Sequence, residues 1–246
     1  MKSNALANCT CEFIGTFALT FIGAGAIVTT AWTGGAPGLV GIALAHGIAL
    51  SIAVSAAMNI SGGHINPAVT VAMLATGRIS PGAALQYIIA QCAGASVAGF
   101  LLFIVFGMLG SGGGASTGAF AVAEVALGTP NFHERTISAG MAMVVEIGLT
   151  FLLVFAVFGT AVDERAPKIG GFGIGLTVCI DILVGGPITG AAMNPARAFG
   201  TLVAGGPTTA HLWSQHWVYW LGPITGAIIA AVLYDWLILK PARRKG

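Results

Sequence analysis

Apolar residues run in six long blocks, at 10–32, 38–60, 82–109, 136–160, 169–186 and 215–239, and none of them carries more than one charged side chain. A helix needs roughly 20 residues to cross a hydrocarbon core of ~30 Å, so each block predicts one membrane span. The pattern breaks twice in a way that loops do not explain. Between the second and third blocks stands SGGHINPAVT (61–70), and after the fifth stands TGAAMNPARAFG (189–200). Asparagine caps helix N-termini and proline suits the first helical position, so Asn66-Pro67-Ala68 and Asn194-Pro195-Ala196 each predict a helix start. The helices that follow, from Asn66 to about Gly77 and from Asn194 to about Ala204, have only ~15–18 Å of rise, half a bilayer.

A half-length helix at that depth leaves unpaired backbone groups in the strand leading to it, at 61–65 and 189–193. Such backbone is tolerated only where protein buries it or it lines a water-filled cavity. Two such helices entering from opposite faces bring both positive dipole ends to one central spot. Side-chain amides of Asn66 and Asn194 can then donate to a passing oxygen while the focused positive potential opposes cations, protons included.

Composition narrows the class further. The 246 residues are 56% hydrophobic and 7% charged, far from the quarter charged that is usual in soluble domains. This is an integral membrane protein with no expected nucleic-acid partner. The first block is too long and too poor in basic residues, with Lys2 alone ahead of it, for a cleaved signal. Lys2, Arg78, Arg165, Lys168, Lys240, Arg243, Arg244 and Lys245 fall in one set of loops and tails, against Arg135 in the other. By the positive-inside rule both termini are cytoplasmic, in a multi-pass protein of the cell membrane. Cys9, Cys11, Cys92 and Cys179 show no metal-ligand spacing, and neither cofactor, metal nor disulfide is expected. Gly94, Gly99, Gly222 and Gly226 are expected to let helices approach closely.

The chain also repeats itself. CEFIGT (11–16) echoes VEIGLT (145–150), and the two Asn-Pro-Ala segments echo each other. Each half holds three spans, an odd number, so the second half enters the membrane in the opposite sense. The predicted fold is therefore all-α: six transmembrane helices plus two re-entrant half-helices in an inverted repeat. It forms a single domain over 1–246, with halves at about 1–110 and 136–246. The extracellular linker 111–135, rich in Gly, Ser and Thr, reads as a solvated connector.

With these residues in hand the chain closely resembles the aquaporin, or major intrinsic protein, family, whose mark is two Asn-Pro-Ala boxes, the second extended by arginine. The resemblance covers EFIGTF (12–17), SGGHINPAVT, EIGLTFLLVF (146–155), TGAAMNPARAFG and HWVYWLGP (216–223). It implies a pore in each protomer of a homotetramer, passing water and other small neutral solutes. It also implies that Glu12 and Glu146 accept hydrogen bonds from the re-entrant backbone; an intramembrane carboxylate needs such donors, and a proton relay is the alternative use. Carried over residue by residue, the family's filter falls on His46, Ile182, Ala191 and Arg197. That set departs from strict water channels and from glycerol facilitators and looks most like tonoplast-type members. Ammonia, urea and hydrogen peroxide then join water as expected permeants, with glycerol secondary because Ala198 stands where facilitators carry aspartate.

Three points stay open in the sequence. His64, in the first approach strand, is either a pH sensor or a hydrogen-bonded support, and its counterpart Ala192 shows that twofold chemistry does not require it. Asp181 must face protein or water and has no partner that spacing reveals. An ion-coupled secondary transporter shares the inverted repeat and broken helices, with Glu12, Glu146 or Asp181 as coupling acids. No nucleophile and base recur together, so an enzyme is not expected.

Overall fold

The computed structural model describes residues 4–112 and 117–243. Lys2, Arg244 and Lys245 of the charge asymmetry, and 113–116 of the linker, lie outside the described residues. Among those described, six helices are long and apolar enough to cross a membrane: α1 (Ala5–Trp32), α2 (Gly38–Ala57), α4 (Pro81–Gly107), α6 (Ala139–Val157, continued by a π turn to Val162), α7 (Phe172–Thr189) and α9 (Val218–Tyr234, continued by a π turn to Leu239). Two short helices complete the pattern, α3 (Pro67–Ala75) and α8 (Pro195–Gly205). The order span, span, half-helix, span thus occurs twice, and the all-α fold with six spans and two half-helices is the one observed.

At three of the six spans a polar cap, rather than the edge of the apolar block, sets where the helix begins. Asn4 accepts from Ala7 N at 3.2 Å and starts α1 five residues ahead of the apolar block. Ser80, followed by Pro81, starts α4, and Ser138 starts α6. These side chains satisfy amide groups that have no partner inside the helix.

The half-helices are exchanged between the halves: α3 packs on α9, and α8 on α4. Within each half the first and third spans touch through glycine, α1 on α4 and α6 on α9. A Cβ on Gly94 would lie 2.2 Å from Phe13 O, and one on Gly226 would lie 2.2 Å from Ile147 O. Gly99 and Gly222 are approached a little less closely, at 2.7 Å by Gly200 O and at 2.9 Å by Glu146 Cβ. All four act as the sequence suggested.

The linker departs from its expected character. After residues 113–116 it forms α5 (Gly118–Glu124) and a tight turn at Ala126–Gly128. Ala121, Val122 and Leu127 are buried against Val28 of α1 and Leu102 and Phe106 of α4. A segment rich in small residues looks solvated, yet small side chains also let backbone settle into a crevice between helices.

At the opposite end, Asp163 follows the π turn of α6 and accepts from Arg165 Nε and Nη2 at 2.8 and 2.6 Å, from Arg165 N at 3.0 Å and from Tyr234 Oη at 3.3 Å. The Arg165 guanidinium holds this carboxyl well below the usual range, and the loop is thereby tied to the end of α9.

Candidate pore

Each approach strand is forced into a shape that most residues avoid. In the first, Gly62, Gly63 and Ile65 have φ of 91°, 61° and 55°; in the second, Gly190, Ala191 and Met193 have 80°, 44° and 51°. A β-branched residue at positive φ is a genuine outlier, costing of order 1–3 kcal/mol, and persists only where surroundings over-determine it. Glu12 and Glu146 provide that constraint. Glu12 Oε1 accepts from His64 N (2.9 Å) and Ser61 Oγ (2.7 Å), and Oε2 accepts from Ile65 N (2.5 Å) and Gln91 Nε2 (2.7 Å). In the second half, Glu146 Oε1 accepts from Ala192 N (3.0 Å) and Thr189 Oγ1 (2.7 Å), and Oε2 from Met193 N (2.9 Å). Tyr87 Oη to Ser61 O and Tyr219 Oη to Thr189 O, both 2.8 Å, fix the start of each strand.

The two half-helices meet at their N-termini. Asn66 Oδ1 caps α3 through Ala68 N, and Asn194 Oδ1 caps α8 through Ala196 N and Arg197 N. Each amide nitrogen crosses to the other strand: Asn66 Nδ2 donates to Met193 O and Asn194 Nδ2 to Ile65 O, both at 2.8 Å. A side-chain amide has two N–H groups, so one on each asparagine stays free for a solute. Pro67, Ala68, Pro195 and Ala196 are buried and do not reach the cavity wall.

One cavity of about 290 Å³ runs past both asparagines, from Met58 and Arg78 at one end to His46 and Arg197 at the other. A second, of about 500 Å³, opens beyond it among Glu124, His133 and Thr136. His46 and Ile182 border both and form the partition between them. Ala191 and Arg197 line the first cavity as well, so all four filter candidates border one passage.

The hydrogen bonds fix the chemistry of the histidine. His46 Nδ1 lies 2.9 Å from Ile42 O, which can only accept, and Nε2 lies 3.1 Å from Arg197 Nη2, which can only donate. His46 is therefore the neutral tautomer with hydrogen on Nδ1. Arg197 Nη1 donates to Gly128 O at 2.7 Å, while Arg197 Nε has no partner. A buried guanidinium held at two corners, with N–H groups to spare, is a rigid donor for a passing oxygen. Ile182 and Ala191 make the facing wall apolar.

His46 fits only because its neighbour on α1 is glycine. A Cβ on Gly23 would lie 2.3 Å from His46 Cδ2 and 2.4 Å from Nε2. Gly23→Ala should displace the imidazole from Arg197 and lower water permeability severalfold in stopped-flow light scattering. Adding His46→Ala should restore most of the flux. A single variant indistinguishable from wild type would show that the ring position does not matter.

His64 lines the cavity, and its Nδ1 lies 3.1 Å from Thr70 Oγ1, which donates to Asn66 O. Thr70 therefore accepts from His64, which carries its hydrogen on Nδ1 and supports the capped turn. Asp181 is 3% exposed and sits behind the wall, between the lining residues Val178 and Ile182; its Oδ2 has no partner. Ser61, Thr189, Tyr87, Tyr219, Gln91 and Gly128 belong to the site and were not foreseen from the sequence. The first four stand at matching places in the two halves, a signal that was present; the Gly128 carbonyl left none.

Six spans around two half-helices that meet end to end, with a single cavity threading both N-termini, define a transmembrane pore. The Major intrinsic protein family profile matches residues 1–234, and the chain belongs to that family. It is 44% identical over 242 residues to "Probable aquaporin TIP3-2" of Arabidopsis thaliana, covering 93% of this chain and 82% of that protein. It is 42% identical over 232 residues to "Aquaporin TIP1-2" of Zea mays, covering 91% and 83%. Its fold is similar to that of the aquaglyceroporin from Plasmodium falciparum, with TM-score 0.83, 24% identity, and 99% and 100% of the two chains covered.

Proposed function

We propose that this chain is a passive pore for water and small neutral solutes in which His46, Ile182, Ala191 and Arg197 form the filter and Asn66 and Asn194 the central constriction. The observation that carries it is one cavity bordered both by the asparagine amides, each with an N–H to spare, and by a doubly anchored guanidinium. Like dipole ends and Arg197 oppose cations, while carbonyl-rich strands and amide donors replace the hydration of a neutral solute. Glu12 accepts from four donors and Glu146 from three, all of their own halves, which supports a structural role over ion coupling. The apolar wall of Ile182 and small Ala191 favours compact solutes such as ammonia, urea and hydrogen peroxide beside water, with glycerol secondary. The repeat halves 1–110 and 136–246, assembly as a homotetramer, and cytoplasmic termini in the cell membrane complete the proposal.

Osmotic shrinkage of proteoliposomes, measured for water, glycerol, urea and ammonia without any ion gradient, tests it. Flux that requires a proton or sodium gradient would sink the channel reading.

Mercurials provide a second check. Cys179 Sγ donates to Ala43 O at 3.3 Å, and none of the four cysteines borders the cavity. Mercuric chloride should inhibit water flux weakly. Strong block, removed by Cys179→Ser, would place the pore wall elsewhere.

A further inference from the structure

The α9 helix ends in a groove separate from the pore cavity, with Arg78 bordering both. Arg78, just beyond α3, places Nη2 2.7 Å from Asp235 Oδ1, Nη1 3.2 Å from Thr76 O and its Cζ 5.0 Å from the centre of the Phe158 ring. Lys240 Nζ lies 3.3 Å from Asp235 Oδ2. In an α-helix, residues five apart sit about 140° from each other around the axis. The i→i+5 closure over Asp235–Leu239, with Lys240 N donating to Asp235 O, turns Lys240 toward Asp235 instead. Two cations are thus held against one carboxylate, leaving net positive charge and unused N–H groups facing a groove of about 570 Å³.

The groove opens at the end of a membrane span. Trp236, 66% exposed, lines it, and the Lys240 side chain is 59% exposed. An exposed indole and a snorkelling lysine mark the level of lipid headgroups. The sequence continues directly into Arg243, Arg244 and Lys245, and such juxtamembrane clusters attract anionic lipid. We propose that this groove holds the phosphate of an anionic phospholipid, with Arg78 and Lys240 as donors and Trp236 beside the acyl chains. Asp235 acts as the organiser that keeps both cations in place. Because Arg78 also borders the inner end of the pore cavity, the lipid reaches a guanidinium that forms part of the pore mouth.

Trp236 reports on the site directly. Trp32 bonds Gly110 O beside the linker, and Trp213, Trp217 and Trp220 lie at the start of α9, a span's length away. The full chain is reconstituted in phosphatidylcholine vesicles containing tail-brominated phosphatidylglycerol or, at the same mole fraction, tail-brominated phosphatidylcholine. The Trp236 emission is the difference between wild type and Trp236→Phe. Brominated phosphatidylglycerol should quench it more strongly. Lys240→Gln should lower that preference about fivefold, and Lys240→Arg should keep it. Equal quenching by the two lipids, or an unchanged preference in Lys240→Gln, overturns the proposal. Reversal by millimolar inorganic phosphate also overturns it, in favour of a site for free phosphate.

Discussion

Glu12→Ala and Glu146→Ala are each expected to yield no folded pore, and the corresponding Gln variants a destabilised one that still conducts water. Each carboxylate is buried, and each holds two backbone N–H groups of a strand whose residues sit at positive φ. Alanine leaves those donors without partners at a depth where water is scarce, a loss of ~2–6 kcal/mol at ~1–3 per group. That is a large share of the marginal stability of a folded chain. Glutamine keeps one acceptor oxygen but sets its NH₂ against at least one fixed N–H, so the loss is smaller. The two uses of a buried glutamate then separate. If Glu12 or Glu146 coupled solute movement to protons, the Gln variant would fold normally and fail to transport. If they hold the strands, Gln lowers the yield of monodisperse protein on size exclusion while the folded fraction conducts at the wild-type rate per molecule. Alanine variants of wild-type thermal stability would count against the structural role.

How much of this was legible before the fold was known depends on where each interaction is encoded. The spans follow from apolar blocks, and the half-helices from Asn-Pro at the head of segments too short to cross. Both are local, and the structure returns them with shifts at the ends, where caps such as Asn4 outweigh hydropathy. The supports of the strands were half legible. Glu12 and Glu146 declared themselves as carboxylates in apolar sequence, whereas Tyr87 and Tyr219 look like any aromatic residue in a span until their hydroxyls are seen on Ser61 O and Thr189 O. The grip on Arg197 was not legible at all. Its acceptors are a carbonyl in a small-residue linker and the far nitrogen of a histidine on another helix, both set by packing distant in sequence. Gly23 belongs with them, since its missing side chain matters only once His46 is placed against it.

Arg197→Leu should convert the pore into a wider and less selective one. Leucine cannot reach Gly128 O or His46 Nε2, so both the charge and the bridge across the passage go together. Urea and glycerol flux should rise about tenfold or more, which corresponds to ~1.4 kcal/mol removed from the barrier. Water, already small enough to pass, should change little. Cation exclusion weakens as well: a unit charge at 4 Å in an effective dielectric near 20 is worth ~4 kcal/mol, or roughly three decades. The loss stops short of a cation channel because the half-helix N-termini at Asn66 and Asn194 still present positive ends to the passage. Arg197→Lys separates the two contributions. Lysine restores the charge without the planar fork that spans two acceptors, so it should keep cations out while leaving solute selectivity loose. Flux ratios for water, urea and glycerol, read beside a cation-leak assay in the same proteoliposomes, distinguish the cases. Unchanged ratios in Arg197→Leu would mean that the narrowest point is not the one formed by His46, Ile182, Ala191 and Arg197. Loose cation exclusion in Arg197→Lys would mean that geometry, rather than charge, holds the barrier.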